Sequence, residues 1–420
     1  MVSLGVFYCN VRSLLPKVNT LQHYVSLYQP SIVALTETWL ESTIPSSLFC
    51  PENYTVYRWD RSGRRGGGVL ILVINTLVSG SLEVALRPLG DETFSRIEVI
   101  ACKITLENGN HLGVLCLYRP PDSVAFDDEC MMSHIRDFLN YQLDYNVIVG
   151  DFNFPDISWP SNASSSSGRA FLNFCQDNFL EQCVSSSTRL ASKAILDLVL
   201  ATQGTSISEL SVGEEFGSSD HSIIYFNISV KHTCITKRMY ARNLKRANWS
   251  EFSKLMEPSE DWYAALSSGN VDTVWNMFIS EINSALDCVA PIRSFSTRNF
   301  ISSSKIRTAL RYKRRFYRAL SRNPSSVRDR MLYERSKFIA QKLIDEDLRH
   351  REERIIETPD PRIFWAYVNR RMSSNLSIRQ INSSGSNILN PGDIADVFNQ
   401  YFASQYQIAS SDFSMRNLNF

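Results

Sequence analysis

Asn146 to Asn153 reads NVIVGDFN: a short apolar run closed by a glycine, a carboxylate and an amide. A β-branched run of this length, ended by a turn signal, reads as a strand. Its polar end is left at the rim of whatever sheet it joins. The same construction recurs over about 230 residues in SLGVFY (from Ser3), SIVALT (from Ser31), GVLILVI (from Gly68), HLGVLCLY (from His111), AILDLVLA (from Ala194) and SIIYFNI (from Ser222). Seven such runs predict a large sheet system. Between the first two, Lys17 to Tyr28 sets Val18, Leu21, Tyr24, Val25 and Tyr28 at helical intervals and stops before Pro30, which predicts a helix packed on the sheet. A second helix is predicted over Ala170 to Phe179, and the low-complexity tract Asn162 to Gly168 as a surface loop.

A length of 420 residues suggests two to three domains. With 44% hydrophobic and 21% charged residues, the chain is of ordinary globular composition, not disordered or fibrous. The net charge of +1 conceals two unlike halves: residues 1–230 hold 14 Lys and Arg against 24 Asp and Glu, and residues 231–420 hold 30 against 19. An acidic half can concentrate carboxylates around a metal, and a basic half can hold a polyanion. Helical periodicity in the second half is clearest from Lys305 to Arg354, where basic residues outnumber acidic ones 16 to 7. Within it, Tyr312 to Leu320 interleaves aromatics with Arg314, Arg315 and Arg318, which suits gripping a phosphate backbone while stacking on bases. A charge run of this kind is as often a solvated helix face. Ile381 to Asp393 reads as a loop, followed by one short helix to about Ser404.

The nine cysteines are scattered, with no C-x-x-C pair, and read as buried thiols in a reducing compartment. The N-terminus lacks a signal-peptide pattern, and VLILVI at Val69 to Ile74 is far too short to span a bilayer. An intracellular, soluble protein of the nucleus or cytoplasm, with no membrane partner, is expected; the oligomeric state is left open.

The chemistry lies in polar residues at the ends of the runs. Asn10 follows the first, Glu37 closes the second, Tyr118 ends a later one, Asp151 and Asn153 follow the next, Asp197 sits within ILDLVL, and Asp220 with His221 precede the last. Singly, most have ordinary readings: a solvated strand end for Glu37, a turn for Asp151 and Asn153, a helix cap for Asn10, a satisfied core histidine, a packed aromatic at a bend. Asp197 is harder to dismiss, because a carboxylate inside an apolar strand needs a partner or a function. Together they suit metal-assisted hydrolysis of a phosphodiester. Magnesium, or manganese in its place, takes hard oxygen ligands and keeps several waters, so Glu37 is the expected first ligand, with Asp220 and Asn10 contributing directly or through water. Asp151 would orient or deprotonate the attacking water. Asn153 and Tyr118 would donate hydrogen bonds to the phosphate. His221, held in one tautomer by Asp197, would stay protonated enough to bind it.

In sequence and order, NVRSL, LTETWL, RGGGV, YRPP, GDFN, LDLVL and SDH resemble the endonuclease domain of non-LTR retrotransposons over about residues 3 to 230. The resemblance extends to the wider endonuclease/exonuclease/phosphatase superfamily. It implies an α/β fold, a four-layered sandwich of two packed β-sheets flanked by helices, and puts Asn10, Glu37, Tyr118, Asp151, Asn153, Asp197, Asp220 and His221 at catalytic positions, with Asp197 supporting His221. It further implies nicking of DNA to leave a 5′-phosphate and a 3′-hydroxyl that primes a reverse transcriptase encoded downstream. Arg12 stands where the repair enzymes of the superfamily usually carry Asp, which favours the retroelement branch. The glycines of RGGGV (Arg65 to Val69) are expected to shape a tight turn near the site rather than to touch phosphate.

The chain then divides into the nuclease (1–230), a helical linker (231–300) and a basic helical connector (301–420). The connector, with FWAYVNRRM at Phe364 to Met372, resembles the segment these elements place before the polymerase, which this sequence lacks. DNA is the expected partner, and for the connector DNA or the element's RNA. Asp127-Asp128 in AFDDE precedes GDFN and is expected to be a surface loop, not a polymerase motif. An abasic-site repair endonuclease or a phosphatase of the same fold, and an inactive nucleic-acid-binding fragment, stay open as alternatives.

Overall fold

The computed structural model describes residues 2–61, 65–83, 95–159, 164, 166–189, 192, 194–231, 239–257, 263, 267, 271–295, 300, 302–372, 381–383, 386–388 and 391–406. In chain order its first part comprises β1 (Val2–Asn10), α1 (Val18–Tyr28), β2 (Ile32–Thr36), β3 (Tyr54–Trp59), β4 (Val69–Ile74), β5 (Ser79–Leu82), β6 (Glu98–Thr105), β7 (His111–Tyr118), α2 (Ala125–Leu139), β8 (Tyr145–Asp151), α3 (Ser166–Asp177), β9 (Leu180–Gln182), β10 (Asp197–Thr202), β11 (Ser206–Glu215) and β12 (Ser222–Val230). The strands make two six-stranded sheets, ordered β11-β12-β1-β2-β4-β3 and β5-β6-β7-β8-β10-β9. All seven runs overlap these strands, but AILDLVLA enters β10 only at Asp197, which opens the strand instead of sitting inside it.

The strands are apolar throughout because both of their faces are covered. Along β1, Val6 and Tyr8 point to the core between the sheets, where they meet Ile71, Val114, Cys116, Val149 and Val199. Phe7 and Cys9 point the other way, to a second core with Leu21 and Tyr24 of α1. On the far side, Leu115, Leu117, Ile148 and Leu200 pack under Met131, Ile135 and Phe138 of α2 and Phe171 and Phe174 of α3. The result is the four-layered sandwich expected from the sequence.

Each sheet contains one parallel pair joined through a helix. Asn10 pairs with Thr36 across β1 and β2, which α1 connects, and Tyr118 with Asp151 across β7 and β8, which α2 connects. These registers fix where the strands end together. Gly150 makes the second one possible: a Cβ there would sit 2.0 Å from the Leu117 carbonyl oxygen.

Asp127 and Asp128 do not form a surface loop. They open α2, where carboxylates suit the positive helix end. Asp127 accepts hydrogen bonds from the Val124 and Arg96 amides at 3.0 and 3.1 Å, and Asp128 accepts from Arg119 Nε at 2.6 Å. Within the tract 162–168, residues 162, 163 and 165 lie outside the described residues, and α3 already begins at Ser166. Ile381–Ser383 and Ser386–Ile388 pair as a short hairpin where a loop was expected, residues 384–385 and 389–390 lie outside the described ones, and a helix follows at Pro391–Tyr406.

Beyond β12, helices Trp249–Leu255 and Val271–Val289 touch each other, and Met239–Ala241 pairs with Arg293–Phe295. Then come a basic helix, Ser304–Arg322, and a long helix, Val327–Glu357, capped by Ser303 and Ser326. The basic helix buries Ile306, Ala309, Leu310, Lys313, Tyr317 and Leu320, one stripe at helical spacing. Ile306, Ala309 and Leu310, with Ala340 and Ile344 of the long helix, join the core formed by Phe7, Leu21 and Leu35. Among the described residues no helix is long and apolar enough to cross a membrane, and the cysteines are free.

Candidate active site

The ends of β1, β2, β7 and β8 and the starts of β10 and β12 converge on one rim of the sandwich. Asn10 is wholly buried there, and its Nδ2 donates to both Glu37 Oε1 and Asp151 Oδ2, each at 2.9 Å. On the other side of Asp151, His221 Nε2 stands 3.9 Å from Oδ2. His221 Nδ1 meets Asp197 Oδ2 at 2.8 Å, while Asp197 Oδ1 accepts from Tyr8 Oη at 2.8 Å. A continuous polar chain therefore runs Glu37–Asn10–Asp151–His221–Asp197–Tyr8. Burial works against a charged imidazole, but the Asp197 charge and hydrogen bond, with Asp151 and Asp220 behind them, outweigh it and raise the His221 pKa to about 10. Burial and the neighbouring Asp197 charge raise the Asp151 carboxyl, against the pull of His221 and Asn10.

Asp151 Oδ1 is buried and makes no hydrogen bond, an acceptor that a cation or a bound water would satisfy. Ligand atoms of Asp151, Asp197 and His221 lie within 4.8 Å of one another, so this cluster could hold a metal ion. Since His221 Nδ1 is committed to Asp197, the oxygen-rich side of the cluster, toward Asn10 and Glu37, is the better environment for a hard divalent ion.

Strain and close packing fix Glu37. Its φ is +50°, and Trp39 and Asn153 at the same rim are likewise left-handed. The RGGG loop holds it in place: Gly68 and Gly67 carbonyls accept from the Thr38 and Trp39 amides at 3.2 and 2.8 Å, and Trp39 Nε1 donates to Glu37 Oε2 at 3.3 Å. Gly68 has φ +88°, and a Cβ there would fall 2.4 Å from Thr38 Oγ1. Buried Glu98 fastens the loop from below by accepting from the Gly68 amide and from Arg61.

Residues 112–225 match the family described as endonuclease-reverse transcriptase, and that span holds Tyr118, Asp151, Asn153, Asp197, Asp220 and His221. The matched segment is of the endonuclease/exonuclease/phosphatase kind. Among solved structures it is similar to the endonuclease domain of TRAS1, a telomere-specific non-LTR retrotransposon, at 15% identity over 55% of this chain and 100% of that one, TM-score 0.44. It is also similar to an endonuclease/exonuclease/phosphatase from Beutenbergia cavernae (14% identity, 55% of this chain and 72% of that one, TM-score 0.43). A third is an AP endonuclease from Archaeoglobus fulgidus (18%, 54% and 100%, TM-score 0.39). Comparison with curated proteins gives no match.

Around the same rim, Asp220, Asn153 and Tyr118 take different positions. Asp220 is held by two cations: Arg12 Nη1 on Oδ1 at 2.9 Å and Arg189 Nη2 on Oδ2 at 2.5 Å. Partial burial would raise its pKa, but the Arg12 hydrogen bond, His221 and Arg189 bring it down to about 2. Asn153 spends one amide hydrogen on the Arg119 carbonyl at 2.7 Å and keeps one. Tyr118 is nearly buried, with Arg61 over its ring at 5.8 Å.

Several residues of the rim were not anticipated. Thr188 Oγ1 accepts from the Leu196 and Asp197 amides, both at 3.1 Å, which sets the start of β10. Ser219 Oγ donates to the Asn10 carbonyl at 2.7 Å and accepts from the His221 amide at 3.2 Å. Arg189 pairs with His221 as an isolated bridge. Ser219 opens the SDH motif and had a signal; Thr188 and Arg189 sit in a serine-rich stretch with none.

Proposed function

We propose that the domain is a metal-dependent DNA endonuclease, which hydrolyses a phosphodiester to leave a 3′-hydroxyl and a 5′-phosphate for retrotransposition. The observation that carries this reading is the double donation of Asn10, which ties the carboxylate best suited to a metal, Glu37, to the carboxylate best suited to a water, Asp151.

Glu37, beside Asn10, is the residue assigned to magnesium or manganese. Asp220, its oxygens already held by Arg12 and Arg189, would contribute through water. Bound there, the ion would neutralise phosphate oxygens and polarise the attacking water. Asp151 orients that water through its unpartnered Oδ1 and takes its proton, a role its raised pKa favours. His221, charged at neutral pH and fixed through Nδ1, presents Nε2–H to a phosphate oxygen. The Tyr118 hydroxyl and the remaining Asn153 amide hydrogen supply neutral donors to the same group. Arg12 and Arg189, both partly exposed, add positive charge at the mouth.

Exposed arginines support DNA contact along the basic helix. Arg311, Arg315, Arg318 and Arg322 are exposed and follow spacings of four, three and four, a single stripe on a helix that carries no acidic residue. Arg314 is not part of it: half-buried, it donates to Ser211 Oγ at 3.3 Å and lies over the Tyr28 ring at 5.3 Å. Of the three arginines named from the sequence, Arg315 and Arg318 are proposed phosphate contacts, and Arg314 is a structural one.

The test is nicking of supercoiled plasmid by the purified chain with magnesium or with EDTA, beside an Asp151→Ala/His221→Ala double variant. Magnesium-dependent nicking that disappears in the variant is expected. A folded wild-type chain that leaves plasmid intact but cleaves abasic DNA or a phosphate monoester would replace the proposal with a repair or phosphatase reading.

A further inference from the structure

His221 and Asp220 sit at the end of a six-residue turn, Phe216 to His221, between β11 and β12. The nuclease strands hold this turn on one side through Ser219 on Asn10 and through the Ser222 amide on the Thr188 carbonyl at 2.8 Å. The other side belongs to the helix pair. Lys313 Nζ donates to the Glu215 carbonyl at 2.6 Å, Lys337 pairs with the Glu215 carboxylate, and the Glu215 amide points at Tyr333 Oη, 3.4 Å away. At the far end of the turn, Tyr317 Oη and Ser222 Oγ are 2.8 Å apart. Tyr317 and Tyr333 pack edge to face with centroids 5.5 Å apart, and Lys313, Tyr317 and Tyr333 are all buried.

These contacts are concentrated on the two residues that bracket the turn, Glu215 and Ser222. A docked helix needs only apolar surface for stability, which Ile306, Leu310 and Ile344 already provide. A buried ammonium needs hydrogen-bond partners, and Lys313 shares its own between Tyr24 Oη of α1 at 3.2 Å and, more closely, the Glu215 carbonyl of the turn. We propose that Lys313 and Tyr317 of the basic helix, with Tyr333 and Lys337 of the long helix, are positioning residues for His221: they clamp both ends of the turn that carries it, so that the helix pair is a working part of the nuclease. This rests on the nuclease reading for its consequence, but the contact itself can be tested apart from it.

Tyr317→Phe removes one hydroxyl and leaves the packing, and Ser222→Ala removes its partner. In the full chain, each is expected to lower kcat for plasmid nicking by about fivefold or more with KM for DNA unchanged, since small misplacements of a catalytic group carry large rate penalties. The double variant should be no worse than either single one, because both remove the same bond. Retention of kcat within about twofold in the single variants, or losses that multiply in the double one, would overturn the clamp. A second readout does not require activity: in chain labelled with 15N-histidine, the Nδ1–H resonance of His221, assigned by its loss in His221→Gln, should move in Tyr317→Phe. An unmoved resonance overturns the proposal even if the wild type nicks nothing; a moved one with an inactive wild type upholds the clamp and removes the nuclease reading instead.

Discussion

Asp197 has no exposed atom, and both of its oxygens are spoken for, one by Tyr8 from the facing sheet and one by His221. Asp197→Asn would keep the shape but could no longer fix His221 as a cation with its proton on Nδ1. Nicking should fall by about a hundredfold or more, with DNA affinity little changed, as measured by single-turnover kinetics and a binding titration. Gly150→Ala is expected to act on folding instead. The new methyl would collide with the Leu117 main chain, not with a movable side chain, so a loss of about 3 kcal/mol in urea unfolding is expected, with the β7–β8 pairing displaced. Both residues stood out in the sequence, one as a carboxylate in an apolar strand and one in VGDFN. What could not be read there is the company they keep: Tyr8 looked like one more apolar residue of a strand, and Thr188 like one more residue of a serine-rich loop.

At the scale of elements, the runs buried on both faces were legible because nothing polar interrupts them. β3, β6 and β11 were not, since each has one face half open: Thr55, Arg58, Lys103, Glu209 and Ser211 break the apolar pattern. The helix α2 was missed for a related reason, its acidic first turn resembling a loop while its partners Arg96 and Arg119 lie at a distance along the chain. The basic helix was legible as a helix, but periodicity could not say which arginines face solvent. Changing Arg311, Arg315 and Arg318 to Gln should reduce the slope of log K against log salt for DNA binding by about 2 to 3, near 0.9 per phosphate contact. Arg314→Gln should leave the slope alone and lower the unfolding temperature. An equal salt slope in the triple variant and wild type would return the stripe to the role of a solvated surface.

For the molecule as a whole, the helix pair is the feature the sequence hid most completely, because docking is written in the spacing of six buried residues inside a segment whose composition says solvent. Its seam with α1 contains His23, fully buried, with Nδ1 2.8 Å from Ser302 Oγ and Nε2 3.7 Å from Asp347. Burial lowers the His23 pKa to about 4, further helped by Arg351 and only partly opposed by Asp347. The unfolded chain, with an ordinary value near 6.5, therefore binds a proton first as pH falls. Stability should drop between about pH 6.5 and 4, by on the order of 2 kcal/mol from this group. The difference between wild type and His23→Gln in urea midpoints across that range measures it; parallel curves would show that the seam does not sense protons.

The polar chain at the rim also has a mechanical meaning. From Tyr8 it crosses to Asp197, returns to His221, crosses again to Asp151 and returns to Asn10, so every link but the last, to Glu37, spans the gap between the two sheets. A slip of one sheet over the other by about half an ångström would be invisible to circular dichroism yet enough to spoil such an alignment. The rate of reaction is thus a finer gauge of how the two layers are seated than any spectrum of the backbone, and pressure or cosolvent should silence the domain well before it melts.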